Sequence, residues 1–186
     1  MIHISGETTK INRETAVAIG KFDGLHRGHV HLLDTLRDVA TKQGLAATVF
    51  SFSVHPAQVL TGTAMPLILS HEERIQFLSQ MGIDYFVEFP FTKDFARTSP
   101  EDFAANILVG QLKCKMLVVG EGFRFGTGGT GDVAMAQMLG RRYGFDVHVV
   151  SHICNNGAKI SSSDIRTYIA QGDFDKVREV TGRSYF

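Results

Sequence analysis

Apolar and polar positions along the chain follow two alternating rhythms. Short runs rich in apolar and β-branched residues, Thr15–Ile19, Ala46–Phe52, Asp84–Phe89, Met116–Val119 and Asp146–Val150, have the length and composition of buried strands. Between them apolar residues recur at helical spacing: Val30, Leu33, Leu36 and Ala40; Ile75, Leu78 and Met81; Phe103, Ile107, Leu108 and Leu112; Val133, Ala136, Met138 and Leu139. Each such helix would bury one stripe. Start signals agree: Ser70 stands at capping-box spacing from Glu73, Ser99-Pro100 pairs an N-cap with proline at the first helical position, and Asp132 leads the next helix. Gly44, Gly82 and Gly144 supply the stops. Ser161 to Thr181 reads as one or two helices broken at Gly172-Asp173. Strand and helix alternating about five times predict an α/β fold, a three-layer α/β/α sandwich around a mainly parallel five-stranded sheet, with ligands at the carboxyl ends of the strands.

Composition narrows the function classes. At 186 residues, 44% hydrophobic and 20% charged, the chain fits a single domain, residues 1–186, with enough apolar side chains for a sizeable core. Lysine plus arginine number 19 and aspartate plus glutamate 19, so no bulk field attracts nucleic acid or an anionic membrane, and a polyanion must be held locally. Cys114 and Cys154 form no C-x-x-C pair and are expected reduced in a packed interior. The amino terminus lacks a basic segment followed by an apolar run, and no long apolar stretch occurs, so a soluble cytoplasmic protein is expected.

Candidate chemistry concentrates after the first strand, in Gly20-Lys21-Phe22-Asp23-Gly24-Leu25-His26-Arg27-Gly28-His29. A helix beginning at about Gly28 offers free amides and a positive dipole end to an anion. His26 and His29, three residues apart, can share one side of its first turn. Gly20, Gly24 and Gly28 let backbone approach a ligand without an intervening Cβ. Other patterns carry less. Gly126-Thr127-Gly128-Gly129-Thr130-Gly131 satisfies G-x-G-x-x-G but does not follow a strand directly, and no acid stands about 20 residues on at a strand end. There is no phosphate-binding G-x-x-x-x-G-K-[ST], His71-Glu72-Glu73 lacks a second histidine, and no serine sits in a G-x-S-x-G turn. A zinc cluster of His26, His29 and His31 lacks a fourth ligand. His3, His148 and His152 fall in no pattern.

His26-x-Gly28-His29 resembles the HxGH signature of the nucleotidyltransferase superfamily. The longer G-K-F-D-G-L-H-R-G-H resembles the FAD synthetase family, specifically the FMN adenylyltransferase domain of the bacterial bifunctional riboflavin kinase/FMN adenylyltransferases. Further segments follow in order. Thr48 to Pro56 resembles the family's F-x-P-H-P strand, Phe91 to Phe103 its linker into a helix, and Val118 to Gly126 its V-G-x-D-F-R-F-G block. Ile160 to Arg166 resembles I-S-S-T-x-I-R, and Gly182-Arg183-Ser184-Tyr185-Phe186 the G-R-P-Y at the domain boundary. Gly122 stands where the family usually has an acid or amide, Ser53-Val54 replaces an acid and proline, and Ser163 replaces threonine.

The resemblance implies a Rossmann-like fold and transfer of the AMP moiety of ATP to FMN, giving FAD and pyrophosphate. It implies Mg²⁺ held mainly through substrate phosphates, with no metal assigned to protein ligands. His26, His29 and Arg166 would be catalytic. Gly20, Lys21, Phe22, Asp23, Gly24, Gly28, Ser161, Ser162 and Ser163 would bind ATP, with Ser162 or Ser163 capping the helix that carries Arg166. Phe52, His55, Pro56, Phe123, Arg124, Phe125 and Gly126 would bind flavin, Phe123 and Phe125 meeting it from one face by strand-end alternation. FMN and ATP are the expected partners, with no nucleic acid or membrane. A riboflavin kinase domain is expected to be absent from this chain, its activity supplied by a missing domain or a separate protein. Two other readings stand beside this one: a flavin- or nucleotide-binding module of weakened catalysis, which Gly122 and Ser53 suggest, and a nucleotidyltransferase acting on another phosphorylated acceptor.

Overall fold

The computed structural model describes residues 1–64, 66–151, 154–155 and 158–183, without the side chains of 154, 155, 158 and 159. His152, Ser184, Tyr185 and Phe186 therefore lie outside the described residues, and of Cys154 only the backbone is described. Six parallel strands form the central sheet: β1 (Ile2–Ser5), β2 (Thr15–Ile19), β3 (Ala46–Phe52), β4 (Tyr85–Phe89), β5 (Cys114–Gly120) and β6 (Asp146–Val150). Their order is β1-β4-β3-β2-β5-β6. A small antiparallel hairpin, β7 (Cys154–Asn155) and β8 (Ala158–Lys159), follows β6. The helices are α1 (Arg27–Gln43), α2 (Pro56–Thr61), α3 (His71–Gln80), α4 (Pro100–Asp102), which runs on as a π-helix through Phe103–Gln111, α5 (Val133–Tyr143), α6 (Ser162–Gln171) and α7 (Phe174–Thr181).

A parallel sheet must be covered on both faces, and the two-residue period of the strands divides their side chains accordingly. Ala16, Ala18, Val49, Phe86 and Val118 meet Leu33, Leu36 and Ala40 of α1 and Leu78 of α3. Val17, Phe50, Val87, Leu117 and Val119 meet the π-helix at Phe103, Ile107 and Leu108 and α5 at Ala136 and Leu139. Ile160, Ile165, Val177 and Val180 build a satellite core under α6 and α7, with Ile68 against it. Among the described residues no helix is long and apolar enough to cross a membrane.

The structure corrects several expectations. The sheet has six strands, not five: β1 carries only two apolar residues and lies half-exposed at an edge, so its pairing with β4, far along the chain, defines it. Met138 is not buried but 52% exposed; the inward stripe of α5 is Ala136, Leu139 and Gly140, the spacing a 3.6-residue turn requires. Phe103 to Gln111 coils as a π-helix, with Leu112 N–H donating to the Ile107 carbonyl at 3.0 Å, and the steps of four and five between Phe103, Ile107, Leu108 and Leu112 suit that wider turn. The cap of α6 is Ser161 rather than Ser162 or Ser163, because Asp164 sits three residues on and closes a capping box. Cys114 is a free thiol buried in β5, its pKa pushed up by that burial.

Candidate active site

From β2 the chain winds outward through β3 and β4 on one side, and later places β5 and β6 on the other. The crevice outside the carboxyl ends of β2 and β5 is therefore the switch point at which open α/β sheets bind ligands. A cavity of about 990 Å³ occupies it, walled by the loops after β2, β3, β5 and β6 and by the start of α6. Gly20, Lys21, Phe22, Asp23, His26, Gly28 and His29 line it from the first loop, and Phe52, His55, Pro56, Phe123, Arg124, Phe125, Gly126, Ser161, Ser162, Ser163 and Arg166 from the others.

The polar wall begins at α1. His26 is its N-cap, and the His26 Nδ1 accepts from the His29 amide at 3.3 Å. An Nδ1 that accepts leaves the ring proton on Nε2, so in its neutral form His26 offers Nε2–H as a donor. The His26 and His29 rings stack 3.8 Å apart at 19°, and Phe22 meets His29 at 5.2 Å. The loop holding them is strained: buried Phe22 and Leu25 take φ of 49° and 39°, conformations that cost on the order of 1–3 kcal/mol each outside glycine. Gly20 makes room for the Phe22 ring, since a Cβ there would stand 2.9 Å from it.

Ser161, Ser162 and Ser163 at the N-terminus of α6 also line the crevice, and Arg166 stands one turn on. The Arg166 guanidinium pairs with Asp23, donates from Nε to the Pro66 carbonyl at 2.9 Å, and is held in a near-buried pose. Asp23 in turn accepts from the Ile68 amide at 3.1 Å. Partial burial, then the Arg166 charge, lowers the Lys21 pKa against the pull of Asp23. His55 caps α2 by accepting from the Ala57 amide at 3.1 Å, and desolvation, then Lys21 and Arg166, lower its pKa.

The remaining wall is aromatic. Phe52 meets Phe91 at 5.0 Å and Phe95 at 5.7 Å, Phe95 and Phe103 lie 6.2 Å apart, and Phe123 stacks on Phe125 at 5.2 Å and 10°. The pairing of Phe123 with Phe125 does not arise from strand alternation, because β5 ends at Gly120. A turn from Phe123 N–H to the Gly120 carbonyl and an antiparallel bridge from Phe125 to Gly131 set it instead. The glycine-rich run from Gly126 to Gly131 is thus the return arm of that bridge, and a Cβ on Gly131 would strike the Phe125 ring at 2.6 Å.

Two expected positions serve the wall from behind. Gly24 does not line the cavity; a Cβ there would meet Ile165 Cδ1 at 2.9 Å, so the glycine lets the first loop pack on α6. The Ser161 hydroxyl, although on the wall, is spent on Asp164 as a cap. Phe91, Phe95 and Phe103 were not singled out as wall residues by the sequence, nor was Arg183, which donates to the carbonyls of Gly24 and Leu25 at 2.9 and 3.0 Å and lies 4.5 Å over the Phe77 ring. Only the boundary segment Gly182-Arg183 hinted at it. His31 is exposed and off the wall, as is His148.

A parallel sheet with two helix N-termini converging on a switch-point crevice defines a Rossmann-like α/β domain built to hold an anionic and partly aromatic ligand. Residues 8–164 match the family described as FAD synthetase, and the chain belongs to that family. It is 33% identical over 186 residues to the FAD synthetase of Listeria monocytogenes, covering 99% of this chain and 75% of that one. It is 33% identical over 170 residues to the bifunctional riboflavin kinase/FMN adenylyltransferase of Escherichia coli, covering 91% of this chain and 54% of that one. The chain thus spans about half the length of the bifunctional relatives it matches. A solved structure described as a macrolide-efflux protein from Streptococcus pneumoniae superposes with a TM-score of 0.87 at 24% identity, covering 98% of this chain and 60% of the other, a likeness of fold alone. Pantoate-beta-alanine ligase from Francisella tularensis shares the fold more distantly, with a TM-score of 0.54 at 15% identity over 96% of this chain and 86% of that one.

Proposed function

We propose that this domain transfers the AMP moiety of ATP to FMN, giving FAD and pyrophosphate. One observation carries the reading: a single cavity joins an aromatic wall, suited to an isoalloxazine or adenine ring, to a wall of imidazoles, Lys21, Arg166 and two helix N-termini, suited to phosphates. Membership of the FAD synthetase family supports it. A phosphate oxygen of FMN attacks the α-phosphorus of ATP; that P–O bond forms as the bond to the bridging oxygen breaks, and pyrophosphate leaves. Attacker and leaving group are already anionic, so the chain's work is alignment and neutralisation of developing charge. His26 and His29 donate to phosphate oxygens, Arg166 and the amides of Ser162 and Ser163 take the outgoing phosphates, and Asp23 positions Arg166. Lys21, Phe22, Gly20 and Gly28 cradle the nucleotide. Phe52, His55, Pro56, Phe123, Arg124, Phe125 and Gly126, joined by Phe91 and Phe95, hold the flavin.

Among the described wall residues Asp23 is the one carboxylate, and Arg166 already engages it. That donor set suits a Mg²⁺ ion carried on substrate phosphates, where it neutralises their charge, rather than one caged by the protein. FMN would be the product of a riboflavin kinase activity, and the domain would work in the cytoplasm. The test is to incubate the purified protein with ATP and Mg²⁺ plus either FMN or riboflavin and to separate the flavins by chromatography. FAD and pyrophosphate from FMN, with riboflavin unchanged, are expected. FMN recovered intact while another phosphorylated acceptor is adenylylated would overturn the choice of flavin.

A further inference from the structure

Outside the cavity, three potential metal ligands meet beside the sheet edge. Glu88 of β4 is almost wholly buried, with its carboxylate 4% exposed. The Glu88 Oε2 lies 2.7 Å from Nε2 of His3, on β1, and 3.2 Å from Nδ1 of His71, at the first turn of α3. The three ligand atoms all fall within 4.8 Å of one another. Zinc bonds of about 2.0–2.2 Å place tetrahedral ligand atoms roughly 3.4 Å apart, so the contacts of Oε2 with the two imidazoles, at 2.7 and 3.2 Å, need only open slightly to admit an ion. The surroundings fix these groups as metal sites do. Arg74 engages the other carboxylate oxygen, the His3 ring stacks on Phe86 at 5.3 Å, and the two imidazoles meet edge to face at 5.2 Å. Ligating carboxylates are commonly held by just such a second partner. His3 and His71 remain 29% and 42% exposed, which leaves an entry path and room for water as a fourth ligand.

We propose that His3, His71 and Glu88 form a site for a divalent transition metal, with Zn²⁺ the best match to two imidazoles and one carboxylate. Each neutral imidazole can turn its proton to its other ring nitrogen and present a lone pair, so an ion replaces two N–H contacts to Oε2 without a net release of protons. The three ligands do not line the large cavity, although His71 shares a small neighbouring pocket with Lys21, Asp23 and Arg166, and the test needs no catalysis. The chelator-treated full chain is titrated with Zn²⁺ by calorimetry, and with Co²⁺ by following its visible d–d absorption. One saturable site is expected, with a four-coordinate cobalt spectrum. His71→Gln and His3→Gln should each weaken binding by at least the roughly 10–100-fold that loss of an outer partner costs. His29→Gln should leave the site intact. Absence of saturable binding would overturn the proposal, and so would binding unchanged in His71→Gln, an exposed position that the fold tolerates, or lost in His29→Gln.

Discussion

At the residue scale, the site depends on donors whose directions are set by neighbours. With Nδ1 of His26 occupied by an amide and His29 stacked on it, both imidazoles are held by their neighbours. Removing one such preorganised donor typically costs on the order of 10²–10³ in rate. His29→Ala should therefore lose about that factor in turnover while circular dichroism stays unchanged; turnover near wild type would remove His29 from the mechanism. Asp23 pairs with Arg166, and both are largely buried. Truncating one partner of a buried pair costs about 3–5 kcal/mol, and the residual exposure of Arg166 puts Asp23→Ala at the lower end of that range. Denaturant unfolding measures it, and an unmoved midpoint would contradict the pairing. That His26, His29 and Arg166 would share one cavity wall was legible in the sequence because each sits in a short contiguous motif. Glu88 was not, since its partners arrive from β1 and α3 and no local spacing joins them.

At the scale of elements, helix propensity and packing make opposite predictions at Gly140. Alanine in a helix is favoured over glycine by roughly 0.5–1 kcal/mol. Yet a Cβ on Gly140 would overlap the backbone carbonyl of Phe145, where α5 turns into β6, and overpacking of this kind costs about 1–3 kcal/mol or more. Packing wins, so Gly140→Ala should lower the melting temperature, and a rise would show that the junction yields. Arg183, past the end of α7, pins the strained first loop through two carbonyls. Hydrogen bonds from charged donors contribute about 1.5–3 kcal/mol each. Arg183→Ala should reduce turnover about tenfold by loosening the loop, with Arg183→Lys recovering only part; full activity in both would contradict a positioning role. Five strands and most helices were readable because their periods are local. β1 was not, since four half-exposed residues become a strand only against β4, and the aromatic wall was not, since loops fold Phe91 and Phe95 onto Phe52.

At the scale of the whole molecule, topology explains why the readable motifs lie together. The first loop, the Phe123 to Gly126 block and the start of α6 all follow strand ends or line the crevice at the reversal of strand order, so segments far apart in sequence share one wall. Burial at that wall, reinforced by the Lys21 and Arg166 charges, has a consequence for stability. The folded-state pKa of His55 is lowered, so its contribution is fully present above the unfolded value, near 6.5, and is lost as pH falls below it toward the folded value. The melting temperature of His55→Asn, which keeps a cap for α2, should fall less steeply than wild type below about pH 6.5; parallel profiles would show that neither burial nor neighbouring charge shifts His55. The proposed reaction moves adenylyl rather than phosphoryl groups in this cavity. The most direct measurement follows ATP radiolabelled at the α- or at the γ-phosphorus through a reaction with FMN. Adenylyl transfer would place the α label in FAD and the γ label in pyrophosphate. A γ label carried into flavin, or an α label that never leaves the adenine nucleotides, would contradict it.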